Sequence, residues 1–89
     1  MKRIHIIIDG RVQGVGFRYS LYIKALQLGI KGWVKNKDDN KVEAVFEGEQ
    51  DKINHILEFC KKGPFLTNIS NIKIKEEQYK GEEKFRILR

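Results

Sequence analysis

The spacing of apolar residues changes along this chain in an order that few folds can satisfy. In RIHIII, residues 3–8, Ile4, Ile6 and Ile8 alternate with His5 and Ile7, so the segment reads as a strand with two different faces. From Phe17 to Leu28 the period lengthens. Phe17, Leu21, Ala25 and Leu28 recur every three or four positions, widened by Tyr22 and Leu26, which predicts an amphipathic helix stopped by Gly29. Period two returns over residues 30–47, with Ile30, Val34, Val42, Ala44 and Phe46 expected inward and Lys31, Lys35, Glu43 and Glu47 expected toward water. The polar NKDDN between these runs predicts a hairpin, in which Asn40 can take the left-handed conformation. Ile53, Ile56, Leu57 and Cys60 are helix-spaced up to Gly63-Pro64. Ile72 and Ile74 then alternate with Lys73 and Lys75, and Phe85 and Ile87 suggest a short last strand after a turn at Gly81.

That order, β-α-β-β-α-β with one extra short strand, combined with right-handed crossovers, predicts an α+β, ferredoxin-like sandwich. Its sheet is expected to be antiparallel, with both helices on one face. At 89 residues the chain has room for one core, and 1–89 is expected to be a single domain. The lone Cys60 has no internal disulfide partner, and no Cys-x-x-Cys pair offers a metal site. The apolar run of MKRIHIII stops at Asp9, too soon for a signal peptide or a membrane span, so a cytoplasmic, soluble monomer without membrane partners is expected. A net charge of +6 favours anionic partners, although lysine and glutamate are mixed throughout.

Between the first strand and first helix lies DGRVQGVGFRYS, residues 9–20, with three glycines within seven positions and an arginine after them. Glycine-rich turns of this kind let successive N–H groups converge on an anion, and the helix start adds unpaired donors. Arg18 stands where a forked guanidinium can take two oxygens of one phosphate. The same glycines would also serve an ordinary tight turn. Other phosphate motifs fit less well. No Lys-Ser/Thr follows as in a nucleoside-triphosphate loop, the third glycine of a dinucleotide fingerprint is missing, and Val12 stands where a cysteine phosphatase loop carries its nucleophile.

GRVQGVGFR closely resembles the phosphate-binding loop of the acylphosphatase family, and GWVKNKDDNKVE at 32–43 resembles that family's second signature, a strand carrying an asparagine into a hairpin. The likeness covers essentially the whole chain, down to GP after the second helix and FRI in the last strand. It implies hydrolysis of a small-molecule acyl phosphate to a carboxylate and inorganic phosphate by direct attack of water, with no metal, cofactor or phosphoenzyme. It also implies inorganic phosphate or sulfate as a product-like ligand. By position, Arg18 is the phosphate-binding arginine and Asn36 orients the water. The backbone amides of Arg11, Val12, Gln13, Gly14, Val15, Gly16 and Phe17 form the cradle. The chain departs from the pattern in its hairpin, which has Asp39-Asn40 where Asp-Gly is usual; the expected effect is on local stability only.

The chemistry supports the assignment independently. A carboxylate leaving group resembles an aspartate or glutamate side chain, with a pKa of about 4, and departs without a proton. No general acid is needed, and neither motif supplies one. Strand parity places Ile30, Gly32, Val34 and Asn36 on the helix side. His5, His55, Trp33 and Cys60 read as non-catalytic. Tyr19 and Tyr22 either line the mouth of the site or pack the helix, and Ser20 could stiffen the loop. Two rivals remain: an idle relative that only binds anions, and an RNA-recognition-like module. For the latter, Glu43 and Glu47 stand where stacking rings would be needed, which argues against nucleic acid.

Overall fold

A computed structural model describes residues 1–12, 16–38, 40–63 and 68–88. Among them the chain forms β1 (Lys2–Arg11), α1 (Phe17–Leu28), β2 (Lys31–Lys37), β3 (Lys41–Gly48), α2 (Gln50–Lys62), β4 (Asn68–Glu77) and β5 (Phe85–Ile87). The sheet order is β4-β1-β3-β2-β5. The first four strands pair antiparallel, whereas β5 runs parallel to β2, so the sheet is mixed. A short strand arriving from the far side of the sheet has no hairpin to set its direction. Its orientation follows from where the connection after β4 delivers it.

Ile4, Ile6 and Ile8 of β1 lie opposite Phe46, Ala44 and Val42 of β3, and all six are buried. α1 adds Phe17, Leu21 and Ala25 to this layer, and α2 adds Ile53, Ile56 and Cys60. Fully burying one such aliphatic or aromatic side chain contributes about 1.5 to 3 kcal/mol, so this layer is the main source of stability. Gly29 ends α1 in the left-handed conformation, its N–H donating to the carbonyls of Ala25 and Leu26. Asn40 takes φ 61° in the β2–β3 hairpin, as its position suggests; Asp39 and Pro64 lie outside the described residues.

Two expectations are corrected. Leu26 does not widen the buried stripe of α1. It lies about two and a half turns beyond Phe17, on the opposite side of the helix, and is 51% exposed. Glu47 does not face water either, being only 1% exposed. Parity places it on the sheet face away from the helices, but residues 80–82 cover that face locally. The Lys80 and Glu82 N–H groups donate to its carboxylate at 2.8 and 2.6 Å, and Arg3 donates at 2.9 Å.

Candidate active site

The start of α1 has no side chain capping its first-turn backbone donors. Val12 is buried and closes the core beneath it. Gly16 is the N-cap of α1, at φ 79° and ψ 12°, a left-handed conformation that an L side chain rarely adopts. Most helices put a Ser, Thr, Asp or Asn here to bond the first-turn N–H groups. Gly16 has no side chain to do so, and the first turn of α1 carries no acidic residue. Among the described residues, then, neither a side-chain cap nor a first-turn carboxylate compensates the positive end of the helix. Phe17 turns its ring into the core, so its contribution to this surface is its main chain.

Arg18 follows one residue later and is half-buried. Among the described residues no carboxylate pairs with its guanidinium. It borders a cavity of about 170 Å³ together with Gly16, Phe17, Tyr19 and Ile87. An unpaired guanidinium beside uncapped helix donors is suited to a compact oxyanion, which both can address at once. Of the residues expected in the cradle, Val12, Gly16 and Phe17 are placed at this junction. Gln13, Gly14, Val15 and the Arg11 side chain lie outside the described residues.

Asn36 sits near the end of β2, opposite Val42 of β3. It follows Gly32 and Val34 on the helix-facing side, and unlike them it is exposed. The core stops at Val34 and Val42, and the carboxamide emerges beyond its edge, in keeping with strand parity.

The opposite sheet face holds charge of a different kind. The Arg3 side chain, 5% exposed, meets Glu47 at 2.9 Å and Glu77 and Glu82 at 3.0 Å. Burial opposes its charge, but the three carboxylates more than offset this and hold it firmly protonated. Burial by itself would raise the Glu47 carboxyl. The Lys80 and Glu82 amides and Arg3 outweigh that effect and keep it below the usual glutamate value. His5 meets Glu43 at 2.6 Å and packs edge-on against Trp33, so all three are engaged on this face. Burial pushes the Cys60 thiol up to about 12, which leaves it inert. His55 is exposed. Among the described residues no His, Cys, Asp or Glu cluster could hold a metal ion.

Two cavity residues are not legible as such in the sequence. Sequence pattern allows Tyr19 either to line the site or to pack the helix; it lines the cavity. Ile87 reaches it only because β5 lies parallel against β2, with Ile87 opposite Val34. No local sequence signal reports that pairing.

The fold and this junction together define a class: open-faced α+β sandwiches that carry a glycine-capped, arginine-flanked turn between first strand and first helix. The acylphosphatase family profile matches residues 4–87. A protein of Pyrobaculum aerophilum named acylphosphatase is 47% identical over 90 residues, covering 99% of this chain and 95% of the relative. One of Syntrophobacter fumaroxidans, with the same name, is 44% identical over 81 residues, covering 91% and 84%. The crystal structure of acylphosphatase from Bacillus subtilis superposes with a TM-score of 0.96 at 38% identity and covers all of both chains. The chain belongs to the acylphosphatase family.

Proposed function

We propose that this chain is an acylphosphatase, a hydrolase acting on acid anhydrides, which cleaves the carboxyl–phosphate bond of a small acyl phosphate. Arg18 grips the phosphoryl group with its forked donors, and the amides of residues 11–17 complete the cradle. Asn36 holds the attacking water through its carboxamide, and a phosphoryl oxygen accepts the water's proton. The phosphorus–oxygen bond to the carboxylate breaks as the new one forms, releasing the acid as its anion. That leaving group has a pKa of about 4, so it needs no proton donor. Charge stabilisation and positioning are then sufficient, and in phosphoryl transfer these two effects supply most of the catalysis.

The single observation that carries this reading is Arg18, in the first turn of a glycine-capped helix, bordering a cavity with no described carboxylate to neutralise it. The test is release of phosphate from acetyl phosphate by the purified chain in the presence of a chelator. Arg18→Ala is expected to lower kcat/KM by at least about 10²- to 10³-fold, the cost of losing one preorganised donor. It is also expected to weaken competitive inhibition by inorganic phosphate. Unchanged phosphate affinity in that variant would remove Arg18 from its role.

A further inference from the structure

One long side of the sheet is left without a partner. β4 ends the order β4-β1-β3-β2-β5, so it pairs with β1 along one edge, and its other edge carries no strand among the described residues. It runs for ten residues, Asn68–Glu77, whereas β5 at the far side has only three. An edge of that length presents a row of backbone N–H and C=O groups to any extended chain that approaches it.

The two faces of β4 carry different chemistry. Ile72 and Ile74 lie opposite Ile8 and Ile6 and so point to the helix side, yet Ile74 stays 48% exposed. Lys73 and Lys75 alternate with them on the other face, opposite Ile7 and His5, and both are exposed. His5, Ile7, Lys73, Ile74, Lys75 and Glu77 border a groove of about 390 Å³. The acids nearby are already engaged. Glu77 meets Arg3 at 3.0 Å, Glu43 meets His5 at 2.6 Å, and Glu76 meets Lys2 at 3.5 Å. Among the described residues neither Lys73 nor Lys75 meets a carboxylate.

A second copy of this chain fits the edge badly. Docked antiparallel with Ile72 opposite Ile74, it sets Lys73 against Lys73. With Ile74 opposite Ile74, it sets Lys73 against Lys75 twice. Like charges directly opposite each other destabilise a strand pair, and this is how edge lysines deter self-association. The same lysines favour a strand that brings carboxylates to the matching positions.

We propose that the β4 edge is a docking site for an extended acidic segment of another protein, in which aspartate or glutamate alternates with apolar residues. The segment adds to the sheet as a further strand. Its backbone forms the ladder to β4, its carboxylates fall opposite Lys73 and Lys75, and its apolar side chains cover Ile72 and Ile74. No residue borders both this groove and the Arg18 cavity, so the proposal stands apart from the catalytic reading.

The experiment measures the fluorescence anisotropy of a labelled peptide as long as β4, alternating valine and glutamate, against its valine–lysine counterpart. Two further glutamate peptides are methylated on alternate backbone nitrogens, one on each set, because only one set can face β4. The wild type is expected to bind the glutamate peptide at least about tenfold more tightly than the lysine peptide. One methylated peptide should lose binding and the other keep it. Lys73→Glu/Lys75→Glu should reverse the charge preference, and Ile74→Ser should weaken binding about threefold. Lys61→Glu/Lys62→Glu, the same charge change on α2, should leave the preference in place. Far-UV circular dichroism checks that each variant is folded. Failure of the glutamate peptide to bind, or equal binding of the two methylated peptides, overturns the proposal. So does tighter binding of a single-stranded oligonucleotide at the same lysines, or self-association of the wild type through β4 in sedimentation.

Discussion

Arg18 and Asn36 differ in what their removal takes away. The arginine carries charge for the bound anion as well as for the transition state, so both binding and turnover depend on it. Asn36 touches only the water in the proposed mechanism. Asn36→Ala is therefore expected to lower kcat by about 10²-fold while the inhibition constant for phosphate stays within a small factor. Steady-state kinetics with phosphate as competitive inhibitor check this, and near-normal turnover would end the water-positioning role. Both residues stand out in the sequence because each belongs to a contiguous motif. Tyr19 belongs to the same stretch but is ambiguous there, since a helical tyrosine beside a turn can pack or point outward. It stacks on Tyr22 one helical turn away, but the cavity it borders also needs Ile87 of β5, which lies far away in sequence.

At the scale of elements, β2 is the hinge of the arrangement. It pairs with β3 on one side and β5 on the other, and Gly32 lies at the crossing, opposite both Phe46 and Phe85. Gly32 adopts φ 137°, and a Cβ there would collide with the Val45 carbonyl oxygen. Its N–H donates to Lys84 O at 3.0 Å, joining the last strand to the sheet. Gly32→Ala is expected to cost at least about 3 kcal/mol through backbone strain and lost pairing. Urea unfolding measures it, and a loss below about 1 kcal/mol would mean that the strand adjusts freely. Because Asn36 and Ile87 both depend on β2 for their positions, residual activity should fall in the same variant. In the sequence this residue is one small position in a strand of alternating parity. The close approach that requires glycine is a property of three strands meeting.

For the whole molecule, the Arg3 cluster ties the first strand, the third strand and the connection before β5 into one unit. Glu47 and Glu77 are both held below the usual glutamate value, Glu47 against its own burial and Glu77 chiefly by the Arg3 hydrogen bond. A carboxyl depressed in the folded state binds its proton more readily when unfolded. Stability from these groups is thus complete above the unfolded value, about pH 4.3, and is lost as pH falls through the lower folded values. Glu47→Gln is expected to cost about 3 kcal/mol at pH 7, since it leaves Arg3 with less compensation in a buried setting. The gap to wild type should narrow as pH falls below about 4, because the unfolded wild type then takes up a proton that the folded carboxylate still resists. Urea titrations at pH 7 and pH 3 test this; a gap that stays constant would assign the cost to packing.

Periodicity, glycine placement and two short motifs were enough to determine the strand and helix order and the helix-facing residues, and to single out Arg18 and Asn36. Those features depend on neighbours a few residues apart, where local stereochemistry acts. The direction of β5, the burial of Glu47 under residues 80–82, and the meeting of Tyr19 and Ile87 at one cavity had no such local signal. Each arises when segments remote along the chain come together, and the pairing energy that selects them exists only once the sheet has assembled.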